Sequence, residues 1–110
     1  MGRLTTHVLD TARGKPGAGI AVELFLLDGK DWKRLKSVTT NPDGRTDAPL
    51  LEGEQFRAGT YQLVFHMGAY FKGEGMLDEV PVRFRIEDAA AHYHVPLLCT
   101  PWSYSTYRGS

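Results

Sequence analysis

The chain of 110 residues lacks most of the features that announce a protein class at first sight. It holds one cysteine, Cys99, so no internal disulfide can form. That excludes a small stapled scaffold and makes a reducing compartment the expectation. No apolar run approaches the ~20 residues of a membrane span, and the first residues carry no apolar leader core. Neither sign of charge is in excess, since 13 Lys and Arg face 13 Asp and Glu. No basic block stands out, so the electrostatic footprint of a nucleic-acid binder is missing. Repeats, linkers, low-complexity stretches and long amphipathic helices are absent too. MGRLTT fits the short myristoylation pattern through Gly2 and Thr6. Because Leu4 already begins a strand-like alternation, a soluble cytoplasmic protein is the expectation.

What is present is enough for one domain over residues 1–110, at 12.3 kDa. Area scaling gives about 6,000 Å² exposed when folded against about 18,000 Å² unfolded, so roughly two-thirds of the surface is buried.

Alternation of apolar and polar residues dominates, as expected of strands. In residues 4–10, LTTHVLD, Leu4, Thr6 and Val8 share one face, and Thr5, His7 and Leu9 the other. GIAVELFLLDG, residues 19–29, places Ile20, Val22, Leu24 and Leu26 on one side and Ala21, Glu23, Phe25 and Leu27 on the other. This predicts a central strand covered on both faces. Asp28-Gly29 signals a hairpin, with Trp32 to Thr40 as the returning strand. NPDGRTD, residues 41–47, is a turn in which Pro42 supplies a fixed φ and Gly44 a positive one.

TYQLVFHM and VPVRFRIED, residues 60–67 and 80–88, alternate again. Between them residues 68–79 predict one short helix, ended by Gly73 or Gly75. HYHVPLLCTPWSYSTYRGS closes the chain as two strands broken near Thr100-Pro101. The expected fold is all-β, an antiparallel sandwich of about seven to eight strands with one short helix.

Some polar residues do not fit a purely structural sandwich. His7 lies mid-strand opposite the core face, and Arg45 directly follows the Pro-Asp-Gly turn. His92 and His94 share a face two residues apart. That spacing suits a metal, yet no third ligand stands at motif spacing. The tail STYRGS, residues 105–110, runs strand-formers almost to the last residue. Chain ends are commonly ordered only when docked, and Tyr104 and Tyr107 would pack against neighbours. Cys99 reads as a buried apolar residue and His66 as structural.

Taken together, LTTHVLDTARGKP, NPDGR and HYHVPLLCTPWSYSTYRGS resemble the 5-hydroxyisourate hydrolase family of transthyretin-related proteins, over residues 4–110. The terminal Tyr-Arg-Gly-Ser is the most distinctive mark. Departures are confined to packing positions: Gly17 where alanine is usual, Cys99-Thr100 for Leu-Ser, Trp102 for a tyrosine or phenylalanine, and Met76-Leu77 for a double phenylalanine. Hormone-carrying transthyretin shares the sandwich but lacks the histidines, the arginine and the terminal signature.

The resemblance implies a transthyretin-like sandwich in a homotetramer, a dimer of dimers, with each site at the mouth of a central channel. It implies hydrolysis of 5-hydroxyisourate with no cofactor and no metal. His7, Arg45 and His94 would be catalytic, with Tyr107, Arg108, Gly109 and Ser110 contacting substrate. Which of His7 and His94 is the base stays open, and His92 is placed outside the site. A transthyretin-like carrier, a structural β-module and a metal hydrolase using His92 and His94 are the competing readings.

Overall fold

The computed structural model describes residues 2–110. In chain order the strands are β1 (Arg3–Asp10), β2 (Lys15–Pro16), β3 (Ala21–Asp28), β4 (Asp31–Thr39), β5 (Leu51–Glu52), β6 (Gly59–His66), β7 (Glu79–Ile86), β8 (His92–Cys99) and β9 (Tyr104–Thr106). A single 3₁₀ turn, Gly53–Gln55, precedes β6, and a one-turn helix, α1 (Met67–Tyr70), follows it. Six of the nine strands have eight or nine residues; the others are pairs or triplets. Setting aside the two-residue pieces β2 and β5 leaves seven strands, within the expected seven to eight.

Two sheets stack. One runs β2-β1-β8-β9, with β5 also paired to β1; the other runs β4-β3-β6-β7. Their facing sides supply a single core. Leu4, Val8, Val95, Leu97 and Cys99 come from the first sheet, and Val22, Leu24, Leu63, Phe65, Val80, Val82 and Ile86 from the second. Burying these side chains is worth about 1.5–3 kcal/mol each, which offsets the entropy of ordering the chain. The total exposed area, 6374 Å², agrees with the size scaling.

Local turn chemistry sets the neighbours. Asp28 pairs with Asp31 across the two-residue loop, with Gly29 at φ 65 in its first position. Mirror-image hairpin turns require a positive φ there, and they match the twist of the flanking strands. The β4 partner then slips register between Leu24 and Phe25, a bulge that alternation does not reveal.

Two expectations change in the folded chain. The pair β1 and β8 is parallel, from Arg3 opposite His92 to Asp10 opposite Cys99, while the other strand pairs are antiparallel. No turn joins these two strands, so no local signal carries their direction. Strand β3 is central, but only one side is covered: Ala21 is exposed and Glu23, Phe25 and Leu27 are half-buried. The short helix begins one residue before the 68–79 stretch, at Met67, and, as expected, does not run past Gly73. Lys72 at φ 55 and Gly73 at φ 80 end it, and the backbone N–H groups of Met76 and Leu77 then bond to the Pro101 carbonyl. Those tertiary bonds replace the ones a longer helix would make.

One buried polar knot locks the end of β1. Asp10, fully buried, accepts bonds from the backbone N–H of Ala12 and Arg13 at 3.1 and 3.0 Å and from the Tyr70 hydroxyl at 2.8 Å. Burial, reinforced by the Asp10 carboxylate, pushes the Tyr70 hydroxyl up to about 12. This ties α1 to the first sheet and satisfies a carboxylate that would otherwise be costly to bury. Among the described residues no buried side-chain polar atom lacks a partner.

Candidate active site

The outer face of the first sheet gathers the candidate residues. Because Leu4, Thr6 and Val8 point into the core, Thr5 and His7 point away from it. The parallel register sets Thr5 opposite His94 and His7 opposite Pro96. Two imidazoles far apart in sequence therefore share one surface.

The turn at residues 41–45 docks beside the same surface, and Arg45 lines a cleft there together with Thr5. Asn41 accepts the backbone N–H of Asp43 and Arg45 on its Oδ1 at 3.0 and 3.1 Å, closing an Asx turn. The turn then docks on β1, where the Val8 N–H donates to the Gly44 carbonyl at 2.8 Å. Gly44 has φ 77, and a Cβ there would stand 2.3 Å from the Val8 carbonyl oxygen. Only glycine meets both demands. Gly44→Ala is expected to cost about 1–3 kcal/mol and to loosen the Arg45 loop. Denaturant melts and activity on the same protein check this; unchanged values for both would show that the turn is not needed.

That docking also orients His7. Its Nε2 sits 2.8 Å from the Asp43 carbonyl oxygen. A carbonyl only accepts, so Nε2 carries the hydrogen and the neutral ring leaves Nδ1 as its lone-pair nitrogen. His94 is arranged the other way round. Its Nδ1 lies 2.8 Å from the Thr5 hydroxyl oxygen, leaving Nε2 without a protein partner among the described residues. Burial, then the positive charge of Arg45, then His92 and His7, holds the His94 imidazole below its ordinary value. His94 is thus neutral where an ordinary histidine begins to charge.

The chain end closes one side. The Gly109 N–H donates to the His94 carbonyl at 2.8 Å, and the Thr106 hydroxyl donates to the Pro96 carbonyl at 2.7 Å. A Cβ on Gly109 would lie 2.5 Å from His94 Cδ2, so the backbone runs directly against the ring. Arg108 reaches back, its guanidinium 4.2 Å from the Tyr93 ring centroid and donating to the His92 carbonyl at 3.1 Å. Tyr107 and Ser110 are exposed, as is Tyr104. The two tyrosines expected to pack against neighbours stay exposed within one chain.

The remaining candidates sort simply. His92, set outside the site from its spacing, bonds the same Thr5 hydroxyl through Nε2 at 3.0 Å. Nothing in the sequence marks Thr5, because a strand threonine carries no signal until its partners are known. His66 pairs with Glu23 at 2.7 Å on the far sheet, a structural contact as expected. The buried Cys99 thiol is pushed up to about 11 by burial and by Asp10, which leaves it unreactive. Among the described residues, no group of three or more His, Cys, Asp or Glu is placed to hold a metal ion.

Comparison with known proteins gives a consistent answer. The model of the HIUase/Transthyretin family matches residues 4–109. A 5-hydroxyisourate hydrolase of Mesorhizobium japonicum is 58% identical, covering 99% of this chain and 93% of the relative. The structure of Klebsiella pneumoniae 5-hydroxyisourate hydrolase superposes with TM-score 0.86 at 34% identity, covering 100% of both chains. The crystal structure of (S)-allantoin synthase superposes with TM-score 0.93 at 42% identity, and this chain spans 44% of its length. Sea bream transthyretin, solved in complex with thyroxine, gives TM-score 0.89 at 25% identity over 97% of this chain and 94% of that one. The sandwich, the matched residues and the full-length relatives agree: this chain belongs to the HIUase/Transthyretin family.

Proposed function

We propose that the chain is an enzyme that hydrolyses 5-hydroxyisourate, opening the N1–C6 ring amide to give 2-oxo-4-hydroxy-4-carboxy-5-ureidoimidazoline. The observation that carries this reading is that His7 and His94 share one sheet face beside the turn that carries Arg45, in a chain similar over its full length to named hydrolases of that substrate.

Amide hydrolysis needs a base for water, a stabiliser for the oxyanion and a proton for the leaving nitrogen. His7 offers a bare Nδ1 and takes a proton from water as the oxygen attacks C6. Arg45 holds the carbonyl oxygen with its planar donors as negative charge develops there. The tetrahedral adduct collapses, the C6–N1 bond breaks, and His94 Nε2–H protonates N1. His7 then gives its extra proton to solvent and His94 regains one from solvent, so both rings end neutral. No step needs a metal or an organic cofactor.

Tyr107 walls the cleft, Arg108 anchors the tail through Tyr93, and Gly109 with Ser110 borders the substrate beside His94. A homotetramer, built as a dimer of dimers, covers the exposed Trp102, Tyr104 and Tyr107 and the edge strands β7 and β9. No helix among the described residues is long and apolar enough to cross a membrane. We place the enzyme in the cytoplasm because its one cysteine is a free, buried thiol.

The direct test follows loss of absorbance of freshly generated 5-hydroxyisourate with and without protein. Acceleration is expected, and none would sink the enzymatic reading in favour of a carrier. Deleting Gly109 and Ser110 is expected to lower turnover by about 10²-fold while the melting temperature moves little, because the deletion uncovers the edge of His94 and removes one backbone bond, from the Gly109 N–H to the His94 carbonyl. Unfolding of the shortened chain would instead make the tail structural.

A further inference from the structure

The Thr5 hydroxyl lies between two imidazoles, 2.8 Å from His94 Nδ1 and 3.0 Å from His92 Nε2. A hydroxyl has one hydrogen to donate and lone pairs to accept with. It can therefore donate to one ring only while accepting from the other. The proton positions on the two histidines are coupled through one oxygen.

From this geometry we infer that His92, Thr5 and His94 form a proton relay that resupplies His94 from solvent. The inference rests on reading His94 as the group that protonates the leaving nitrogen. Before transfer, Thr5 donates to His94 Nδ1 and accepts from His92 Nε2–H, which places the His94 hydrogen on Nε2, toward the cleft. As His94 Nε2–H passes to the leaving nitrogen, the Thr5 hydrogen moves to His94 Nδ1 and the His92 Nε2 hydrogen moves to Thr5. A solvent proton enters at His92 Nδ1. One proton goes in, one goes out, and each ring stays neutral.

Three observations favour this direction. His92 is exposed and His94 is half-buried, so the chain of bonds leads from water to the cleft. The groups bearing on His94 are Arg45 from the turn, His7 from β1 and His92 from its own strand, and all three oppose an imidazolium there. A relay lets His94 act as an acid without holding that charge. Finally, His7 is bonded to the Asp43 carbonyl and His94 to Thr5, so of these two rings only His94 is joined to this chain of bonds. After each turnover His94 is left with its hydrogen on Nδ1; once product leaves, Nε2 takes a proton from water in the cleft while the Nδ1 hydrogen returns through Thr5 and His92 to solvent, which resets the chain.

Thr5 and His92 are positioning residues under this scheme, since they act through His94. The test compares Thr5→Val, Thr5→Ser, His92→Ala and His94→Ala on freshly generated 5-hydroxyisourate. Valine is a β-former of nearly the same shape, so Thr5→Val should fold. It is expected to lower kcat by about 10- to 100-fold with KM within about twofold, and Thr5→Ser is expected to restore most of the loss. His92→Ala should lose about tenfold in kcat and regain part of it with added imidazole. In ¹⁵N NMR the His94 tautomer should change in Thr5→Val and not in Thr5→Ser.

A Thr5→Val enzyme with wild-type kcat, or a Thr5→Ser enzyme as slow as Thr5→Val, overturns the relay. An inactive His94→Ala beside either result shows that the relay alone has failed. If His94→Ala turns over normally, the reading of His94 has failed and the relay falls with it.

Discussion

His7→Ala is expected to fold and assemble like the parent chain yet turn over 5-hydroxyisourate at least about 10²-fold more slowly. The folding half follows from placement. His7 points away from the core and makes one side-chain bond, to the Asp43 carbonyl, so its loss costs about 0.5–1.5 kcal/mol. The catalytic half follows from which nitrogen is free. Nε2 is spent on Asp43, and Nδ1 is the lone pair that can take a proton from water. His7→Gln sharpens the test, because its amide N–H can still reach the Asp43 carbonyl while offering no base. Both variants should be slow with a normal melting temperature. Near wild-type turnover in either would falsify the base assignment.

Arg45→Ala is expected to have an equal or larger effect on rate and a second effect on pH dependence. Losing the donors that face the developing oxyanion costs about 10²–10³-fold in kcat. The pH effect comes through His94, which burial first and Arg45 second hold below the ordinary imidazole value. His94 therefore stays neutral, in the parent enzyme, at pH values where an ordinary histidine is already charged. Removing the guanidinium removes one of the causes, so the His94 value rises and the acid limb of kcat/KM moves to higher pH. Arg45→Lys keeps the charge without the fork. It should keep the acid limb in place while losing rate and raising KM. An Arg45→Ala limb that stays put, or moves lower, would show that Arg45 does not set the protonation of His94.

Much of this was legible from alternation and turn residues. Val80, Val82 and Ile86 declare an inward face and Arg83 and Arg85 an outward one, because a period of two has one meaning when one face is wet. Gly44 and Gly29 announced their turns, since few residues tolerate a positive φ. His7, Arg45, His94 and the tail stood out as polar residues that a plain sandwich does not need. Thr5 did not stand out. Threonine is an ordinary strand former, and its hydroxyl gained meaning only when β8 was laid beside β1 with His92 and His94 on either side of it.

The same distinction separates what composition and pattern determined from what the tertiary structure decided. The alternating strands and the turn residues between them determined a β-sandwich in the sequence itself, because burial and backbone periodicity are local or additive properties. The direction of β8 against β1, the nitrogen that each histidine leaves free and the pressure of Gly109 on the His94 ring arose only on folding. Each depends on contacts between residues distant in the chain, and a hydrogen bond exists only when donor and acceptor are brought within about 3 Å.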